Sequence, residues 1–387
     1  MKTMANTKLL YDLRAIQPNN SGLRHGGGKY GEIVLLRMLS LGYKPICFYC
    51  KNKWLNPVVK ECVEKNNIKL VDIDNTSLEE IVSKESIDVI YSCLPTSDII
   101  QFSGCRVKGT LHGLRDIETP VDHYFWKYRD IRFKTKLKLA LEELTHYIGI
   151  NWRRRAESYK LFFSNPLFSF VVVSNHTANS IVAYYPQCKD MEIPVFYSPS
   201  TSSQHPKKNC YYEEKFFLLV SGNRWEKNNL RAIIALDRLF SMGLLNNYRV
   251  RVTGCSEDKI FNYKIQNSDR FSFMGYVDED ELEQLYHDAF CFIYPSLNEG
   301  FGYPPIEAMR YGVPVLASSF SSISEVCEGA ALYFNPFSIE EIMTRILYLV
   351  KNPNEYDKIS RLCLLQYDSI TAKQKEDLDK LIKWIYE

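Results

Sequence analysis

The chain has 387 residues, 45% of them hydrophobic and 24% charged, with a formal net charge of +2. That length exceeds one ordinary core and points to two domains, and the composition is that of a soluble globular protein. The near-neutral balance argues against a dedicated nucleic-acid binder. No signal-peptide pattern and no bilayer-spanning apolar run is present, so a cytoplasmic location is expected.

Eleven cysteines are scattered, most within apolar strand-like runs such as those holding Cys93, Cys105 and Cys291. Cys47-Phe48-Tyr49-Cys50 is a formal C-x-x-C, but no second pair completes a zinc site and no helix start follows to suit a redox pair. Buried, reduced thiols are expected.

Residues 8–13 read as the first strand, followed by a polar loop through Asn19, Asn20, Ser21 and Gly22. Gly26-Gly27-Gly28-Lys29-Tyr30-Gly31 then leads into a helix with apolar Ile33, Leu36 and Leu39. Taken literally this is G-x-G-x-x-G. A dinucleotide site, however, has the glycines directly after the strand and an acid closing the second strand. Here a loop intervenes, and the second strand, 45–50, is followed by Lys51. Gly27 and Gly28 suit close approach of backbone to a ligand, or simply a flexible turn. A helix near 55–65 and strands at 69–73 and 89–93 continue the alternation, and another strand leads into Thr110-Leu111-His112-Gly113-Leu114. A lone histidine such as His112 is usually structural.

Between Lys127 and Lys160 ten Lys and Arg stand against four Asp and Glu, and Phe133, Leu137, Leu141, Leu144 and Ile148 recur at helical spacing. Residues 122–160 therefore read as a basic, amphipathic helical insertion. Its apolar stripe could pack on the first domain with the charges solvated. Alternatively the segment, with Arg153, Arg154 and Arg155, could touch an anionic membrane surface. Residues 168–174 form an apolar strand, and Ser174 to Thr177 caps the helix after it. Residues 192–197 supply one more strand, and the Ser-, Pro- and Lys-rich stretch 198–209 reads as the interdomain linker.

The second domain opens with a strand at 216–221, then Gly222-Asn223-Arg224-Trp225-Glu226-Lys227-Asn228, then a helix bearing Leu230, Ile233 and Ile234. A glycine turn carrying Arg224 and Lys227 between strand and helix suits a diphosphate: guanidinium binds oxygens bidentately and ammonium adds a compact charge. A solvated basic loop is the plainer reading. Strands follow at 249–253 and 271–274, then Gly275-Tyr276-Val277 and a helix at 278–289. The D-x-D at 278–280 invites a metal, but Asp278 is better explained as a helix N-cap with Glu281 three residues on. No metal is expected to be required.

Residues 291–294 read as a buried strand, 298–302 as a polar loop, Pro304 as the opening of a helix ending near Gly312, and 313–317 as another strand. Strand–loop–helix–strand belongs to a parallel sheet, whose ligands sit at the carboxyl ends of the strands. Glu299 and the N–H groups of Gly300, Phe301 and Gly302 then offer a site for an anionic ligand with sugar hydroxyls. A capping box at 338–341 opens a helix through 350, and two more helical segments end at 387.

Glu299 and Glu307 are eight apart, and EGFGYPPIEAMRYGVPV (299–315) resembles the E-x7-E signature of family 4 retaining glycosyltransferases of the GT-B fold, glycosyl transferases group 1. SSFSSISEVCEGAALYFNP (318–336) continues the resemblance, and FVVVSNHTANSI (170–181) resembles the end of that family's N-terminal domain. The resemblance implies two Rossmann-like, doubly wound parallel-sheet domains facing across a cleft. They would be 1–200 with the insertion near 122–160, and 210–368 for the nucleotide-sugar donor. The segment 369–387 would then be a final helix packing back on the first domain through Leu378, Ile382, Trp384 and Ile385. It implies transfer of a sugar, with retention, from a nucleotide-diphosphate sugar such as GDP-mannose to a hydroxyl of a glycan or lipid-linked acceptor, in surface polysaccharide or glycoconjugate synthesis. No further cofactor is implied.

By the same resemblance Glu299 faces the donor sugar and Glu307 holds the ribose. Arg224 and Lys227 neutralise the leaving diphosphate, Tyr276 and Val277 lie along the nucleobase, and Gly27 and Gly28 lie beside the donor phosphates. His112 stands next to the donor sugar. No carboxylate stands out as a nucleophile, so a same-face mechanism is implied in which the leaving phosphate takes the acceptor's proton. An epimerase or phosphorylase of the same architecture, or a nucleotide-sugar-binding subunit without turnover, remains open.

Overall fold

The computed structural model describes residues 7–19, 25–120, 122–128, 150–200 and 214–387. The stripe Phe133 to Ile148, the loop residues Asn20 to Gly22 and most of the expected linker lie outside these. Two compact units share the chain: Met1–Leu114, Arg154–Ser203 and Thr371–Glu387 form one, and Arg115–Arg153 with Gln204–Ile370 the other.

Each unit is built on a six-stranded, wholly parallel sheet. In the first unit, β1 (Leu9–Asp12), β2 (Ile46–Tyr49), β3 (Leu70–Asp72), β4 (Val89–Ser92), β5 (Arg106–Leu111) and β6 (Phe168–Val172) lie in the order β3-β2-β1-β4-β5-β6. The second unit repeats that winding. Its strands β7 (Lys215–Leu219), β8 (Tyr248–Val252), β9 (Phe271–Phe273), β10 (Cys291–Tyr294), β11 (Val315–Ser318) and β12 (Ala331–Phe334) run β12-β11-β10-β7-β8-β9. The order reverses between β1 and β4 in one sheet and between β7 and β10 in the other. These are the doubly wound α/β domains of the GT-B fold.

The central strands are apolar without alternation because helices cover both faces of a parallel sheet. Leu10, Val89 and Phe48 in the first unit, and Phe217, Phe292 and Leu316 in the second, are fully buried. The helix starts are held by the side chains their positions suggest. Ser174 accepts from the Thr177 amide at 3.2 Å, Asp278 from Glu281 at 2.8 Å and Ser338 from Glu341 at 3.1 Å.

Three elements differ from the sequence reading. The stretch 192–197 is no strand; only Val195 bridges Val172, since Pro194 brings no N–H to a ladder. The two final helices are one helix of 34 residues, Pro353–Tyr386, because no glycine or proline interrupts the chain after Pro353. Its part through Ile370 groups with the second unit, where Ser360 donates to the Gly312 carbonyl at 2.6 Å. Its last part groups with the first unit, where Asp377 accepts the Tyr197 amide and Asp379 takes both arms of Arg37.

The third difference concerns 122–160, read from sequence as part of the N-terminal domain. Its described residues 122–128 pack in the second unit: the Asn262 amide donates to the Lys127 carbonyl at 2.7 Å, and the Leu230 amide to the Tyr128 hydroxyl at 2.8 Å. The Arg231 guanidinium lies 3.7 Å from the Tyr124 ring and pairs with Asp122. Buried cation–aromatic contacts of this kind come from residues about a hundred positions apart, so local periodicity cannot show them. Cys47 and Cys50 carry no disulfide; Cys47 is buried and its thiol pushed up by that burial. No helix among the described residues is long and apolar enough to cross a membrane.

Candidate functional site

The residues with chemistry gather at the carboxyl ends of β7 and β10, the switch point of the second sheet, where crevices form in doubly wound folds. After β7 the chain turns tightly. Ser221 has φ +58°, the Gly222 amide donates to the Thr253 carbonyl at 2.7 Å, and a Cβ on Gly222 would come within 2.5 Å of Cys255 Sγ. A single turn, Trp225–Lys227, follows and ends at Asn228 with φ +57°. Asn228 Nδ2 donates to the carbonyls of Pro295 at 3.0 Å and Pro336 at 2.7 Å, and the Leu297 amide donates to the Glu226 carbonyl at 2.8 Å. The β7 and β10 loops are thus locked to each other by amide and carbonyl groups.

Between those loops lies a charged centre. Lys227 Nζ, 5% exposed, donates to Glu299 Oε1 at 2.5 Å and to the Tyr294 hydroxyl at 3.0 Å. Tyr294 and Ser296 donate to the same Oε1 at 2.7 and 2.5 Å, while an Arg115 Nη reaches Oε2 at 3.2 Å. Burial pushes the Glu299 carboxyl up, but Lys227 and Arg115, with hydrogen bonds from Lys227 and Ser296, outweigh it and hold the group down at about 2. Burial pulls the Lys227 ammonium down, and the Glu299 carboxylate partly offsets that. Two cations therefore flank one carboxylate, and Oε1 already has three donors.

Arg224 stands one turn earlier. Its guanidinium, 43% exposed on its side chain, forks onto Glu226 at 2.8 and 2.5 Å, and its charge is felt at Lys227. The loop 300–302 ends at Gly302, whose φ of +106° only glycine adopts without strain. Phe301 is buried, and Ser322 Oγ donates to the carbonyls of Glu299 and Phe301 at 2.9 and 2.8 Å. The helix Tyr303–Met309 starts one residue before Pro304 and has only seven residues, so its dipole is a smaller term than the side-chain cations. Glu307 sits in its second turn, half-buried, hydrogen-bonded with the buried Tyr286. Gly275 has φ +68°, after which Tyr276 is 88% exposed and Val277 buried.

His112, Gly27 and Gly28 belong to the first unit. His112 follows β5; its Nε2 donates to the Cys93 carbonyl at 2.9 Å, which fixes the tautomer, and its ring meets the Tyr30 ring edge-on at 4.7 Å. The glycines lie inside the first turn of the helix Gly26–Ser40 rather than in a loop before it. The His25 ring caps that turn, accepting from the Gly28 amide at 3.0 Å, and a Cβ on Gly27 would stand 2.6 Å from Leu94. Gly27 thus lets the helix sit close on the end of β4, while Gly28 makes room for the His25 ring.

Sequence reasoning missed Arg115, Tyr294 and Ser296. Tyr294 was read only as the apolar end of a strand, and Ser296 fell between that strand and the loop at 298–302. Arg115 lies 184 residues from Glu299, and its one signal was its place three residues after His112.

Residues 200–361 match the family described as glycosyl transferases group 1. The chain is 27% identical over 209 residues to the O-antigen chain mannosyltransferase RfbU of Salmonella typhimurium, covering 53% of this chain and 57% of that protein. It is 28% identical over 228 residues to O-antigen chain mannosyltransferase B of Escherichia coli, covering 57% and 59%. The matched part thus spans under two thirds of either relative's length. The fold is similar to that of Anabaena HepE solved with UDP-glucose, with a TM-score of 0.61 at 15% identity over 97% of this chain and 99% of that one.

Proposed function

We propose that this chain, whose residues 200–361 match the group 1 glycosyl transferases, moves a sugar, mannose first among candidates, from a nucleotide-diphosphate donor to a hydroxyl of a glycan or lipid-linked acceptor in surface-polysaccharide assembly. The mannosyltransferase relatives support the sugar, and the UDP-glucose complex of a protein of the same fold supports the donor class.

One observation carries the reading: a buried carboxylate held ionised between two cations at the switch point of the second sheet. Breaking the bond between the anomeric carbon and the phosphate oxygen puts negative charge on the diphosphate and positive character on the sugar. Lys227 is fixed in place before reaction, so its charge needs no reorganisation to meet the leaving oxygens. Arg224, more exposed and held by Glu226, can exchange that carboxylate for phosphate oxygens, which its fork fits equally well. Glu299 keeps Lys227 protonated despite burial and offers Oε2 to a sugar hydroxyl. Glu307 would serve the ribose and Tyr276 and Val277 the base, while the parts of His112, Gly27 and Gly28 rest on the family resemblance alone.

The proposed reaction retains configuration. The acceptor oxygen bonds to the anomeric carbon on the face the phosphate leaves, and its proton goes to the departing phosphate. Fixed side-chain cations do the work a divalent ion does elsewhere, so the proposal includes no required metal.

The test is a panel of nucleotide sugars scored by thermal shift and then by product. A true donor at a hundredfold excess over its Kd stabilises by about 2.7 kcal/mol, or roughly 5–10 °C for a unit of this size. GDP-mannose is the expected first hit, and a glycosyl product requiring an added acceptor separates transfer from epimerisation or phosphorolysis. If no nucleotide sugar shifts melting, the reading is wrong.

A further inference from the structure

The short helix Arg115–Glu118 makes two ties onto the loop that carries Glu299. An Arg115 Nη donates to Glu299 Oε2 at 3.2 Å, and Asn298 Nδ2 donates to Glu118 Oε2 at 2.9 Å. Adjacent residues of one loop are thus gripped by both ends of a four-residue helix. Glu299 and Asn298 are 5% and 3% exposed, so neither tie is replaceable by bulk water. The ties also sort the two carboxylate oxygens: Oε1 takes Lys227, Tyr294 and Ser296, while Oε2 takes Arg115. A purely structural clamp uses all its donors and acceptors, yet the Arg115 Nε donor and the Asn298 Oδ1 acceptor are buried without a hydrogen-bond partner.

We propose that Arg115 is a positioning residue of the donor site: it orients the Glu299 carboxylate, turning Oε1 to Lys227 and Tyr294 and keeping the anion charged so that Lys227 stays protonated. This rests on the reading of Lys227 and Glu299 as the donor-binding centre. The charged and titratable groups that face Glu299 and Arg115 are Lys227 and Glu226 from the turn after β7, Tyr294 from the end of β10, and Asp116 beside Arg115 on its own helix; Arg224 acts through its field at Lys227. Removing Arg115 leaves one cation to hold the buried carboxylate, and burial then raises the pH at which Glu299 takes a proton.

The experiment compares wild type with Arg115→Gln and Arg115→Lys in the full chain, with two readouts. The first is the titration of the Glu299 side-chain carboxyl by NMR on protein labelled with carbon-13 at the glutamate carboxyl, the resonance identified by its loss in Glu299→Gln. The second is kcat and KM against pH with the donor found by the panel above. Expected is a carboxyl that titrates at higher pH in Arg115→Gln and is largely restored in Arg115→Lys. The acid limb of kcat should follow it, and kcat at neutral pH should fall about ten- to hundredfold, the loss of one charge-assisted hydrogen bond. An unchanged carboxyl titration in both variants overturns the proposal, as does a rate loss in Arg115→Gln whose pH profile matches wild type. If wild type consumes no nucleotide sugar, the parent reading fails while the carboxyl titration still judges Arg115.

Discussion

The coupling between Lys227 and Glu299 is the contact on which the charged centre stands, and a double-mutant cycle measures it. Lys227→Met leaves Glu299 buried with Arg115 as its one remaining cation, and Glu299→Gln leaves Lys227 buried without its anion. Breaking one side of a buried pair costs about 3–5 kcal/mol, and the surviving Arg115 contact puts Lys227→Met near the lower end, at about 3 kcal/mol. The depressed Glu299 carboxyl alone, held at about 2 against its ordinary 4.5, is worth on the order of 3 kcal/mol at neutral pH. Burial pulls Lys227 the opposite way, so the pair nets less than that figure, and the cost of leaving one charge alone sets the expectation. In the double variant no charge is stranded except Arg115, whose side chain is 40% exposed. The double should therefore cost about as much as one single, about 3 kcal/mol, giving a coupling of about 3 kcal/mol where additivity gives none. Equilibrium urea unfolding, followed by a probe in the second unit, reads all four proteins. Singles that add to within about 0.5 kcal/mol in the double refute the argument, because independent sites behave that way.

Arg224→Ala should change stability by under about 1 kcal/mol, since its pair with Glu226 is partly exposed, yet weaken nucleoside diphosphate binding measured by calorimetric titration. Lowering pH should remove the Glu299 contribution with a defined sign. Its folded carboxyl lies below the ordinary value, so the stability is present above about 4.5 and is lost as pH falls toward about 2; the gap between wild type and Glu299→Gln in urea unfolding should close over that window. Gly31→Ala should destabilise the first unit by about 1–3 kcal/mol in thermal unfolding, because the added Cβ would stand 2.4 Å from Cys93 Sγ and 2.6 Å from Ile16. A chelator such as EDTA should leave the initial transfer rate unchanged; loss restored by a divalent ion would overturn the proposal that fixed cations suffice.

The sheets were legible because a buried parallel strand is a short apolar run bounded by turns, as at Cys291–Tyr294, and the helix caps at Ser174, Asp278 and Ser338 lie beside the amides they hold. The place of Lys227 and Glu299 at the sheet's carboxyl edge was legible because each sits in a strand–turn–helix setting. The rest involved long-range partners. Arg115 reaches Glu299 across 184 positions and Arg231 stacks on Tyr124 across 107, separations that no local periodicity bridges. Tyr294 was hidden differently: its ring belongs to the apolar strand while its hydroxyl belongs to the charged centre, and period-based reading sees only the ring. The misread strand at 192–197 shows the converse, since an apolar run with Pro194 in it lacks the amide that would carry the ladder past the single bridge at Val195.

Position and charge at this centre depend on one another. Burying an ammonium at the end of β7 is unfavourable by itself, so Lys227 keeps its proton there only because Glu299 faces it from the end of β10. Glu299 is buried in turn and is held ionised by Lys227 at one oxygen and by a second cation, Arg115, at the other. Lys227 and Arg115 against Glu299 leave one positive charge unbalanced, fixed at the switch point of the second sheet. That surplus is what an arriving diphosphate would find already in place, and it follows that substitutions which neutralise Lys227 or Arg115 should weaken diphosphate binding more than they weaken binding of the corresponding nucleoside. Calorimetric titrations with the paired ligands decide it, and equal losses for both would mean that the surplus charge has no part in recognition.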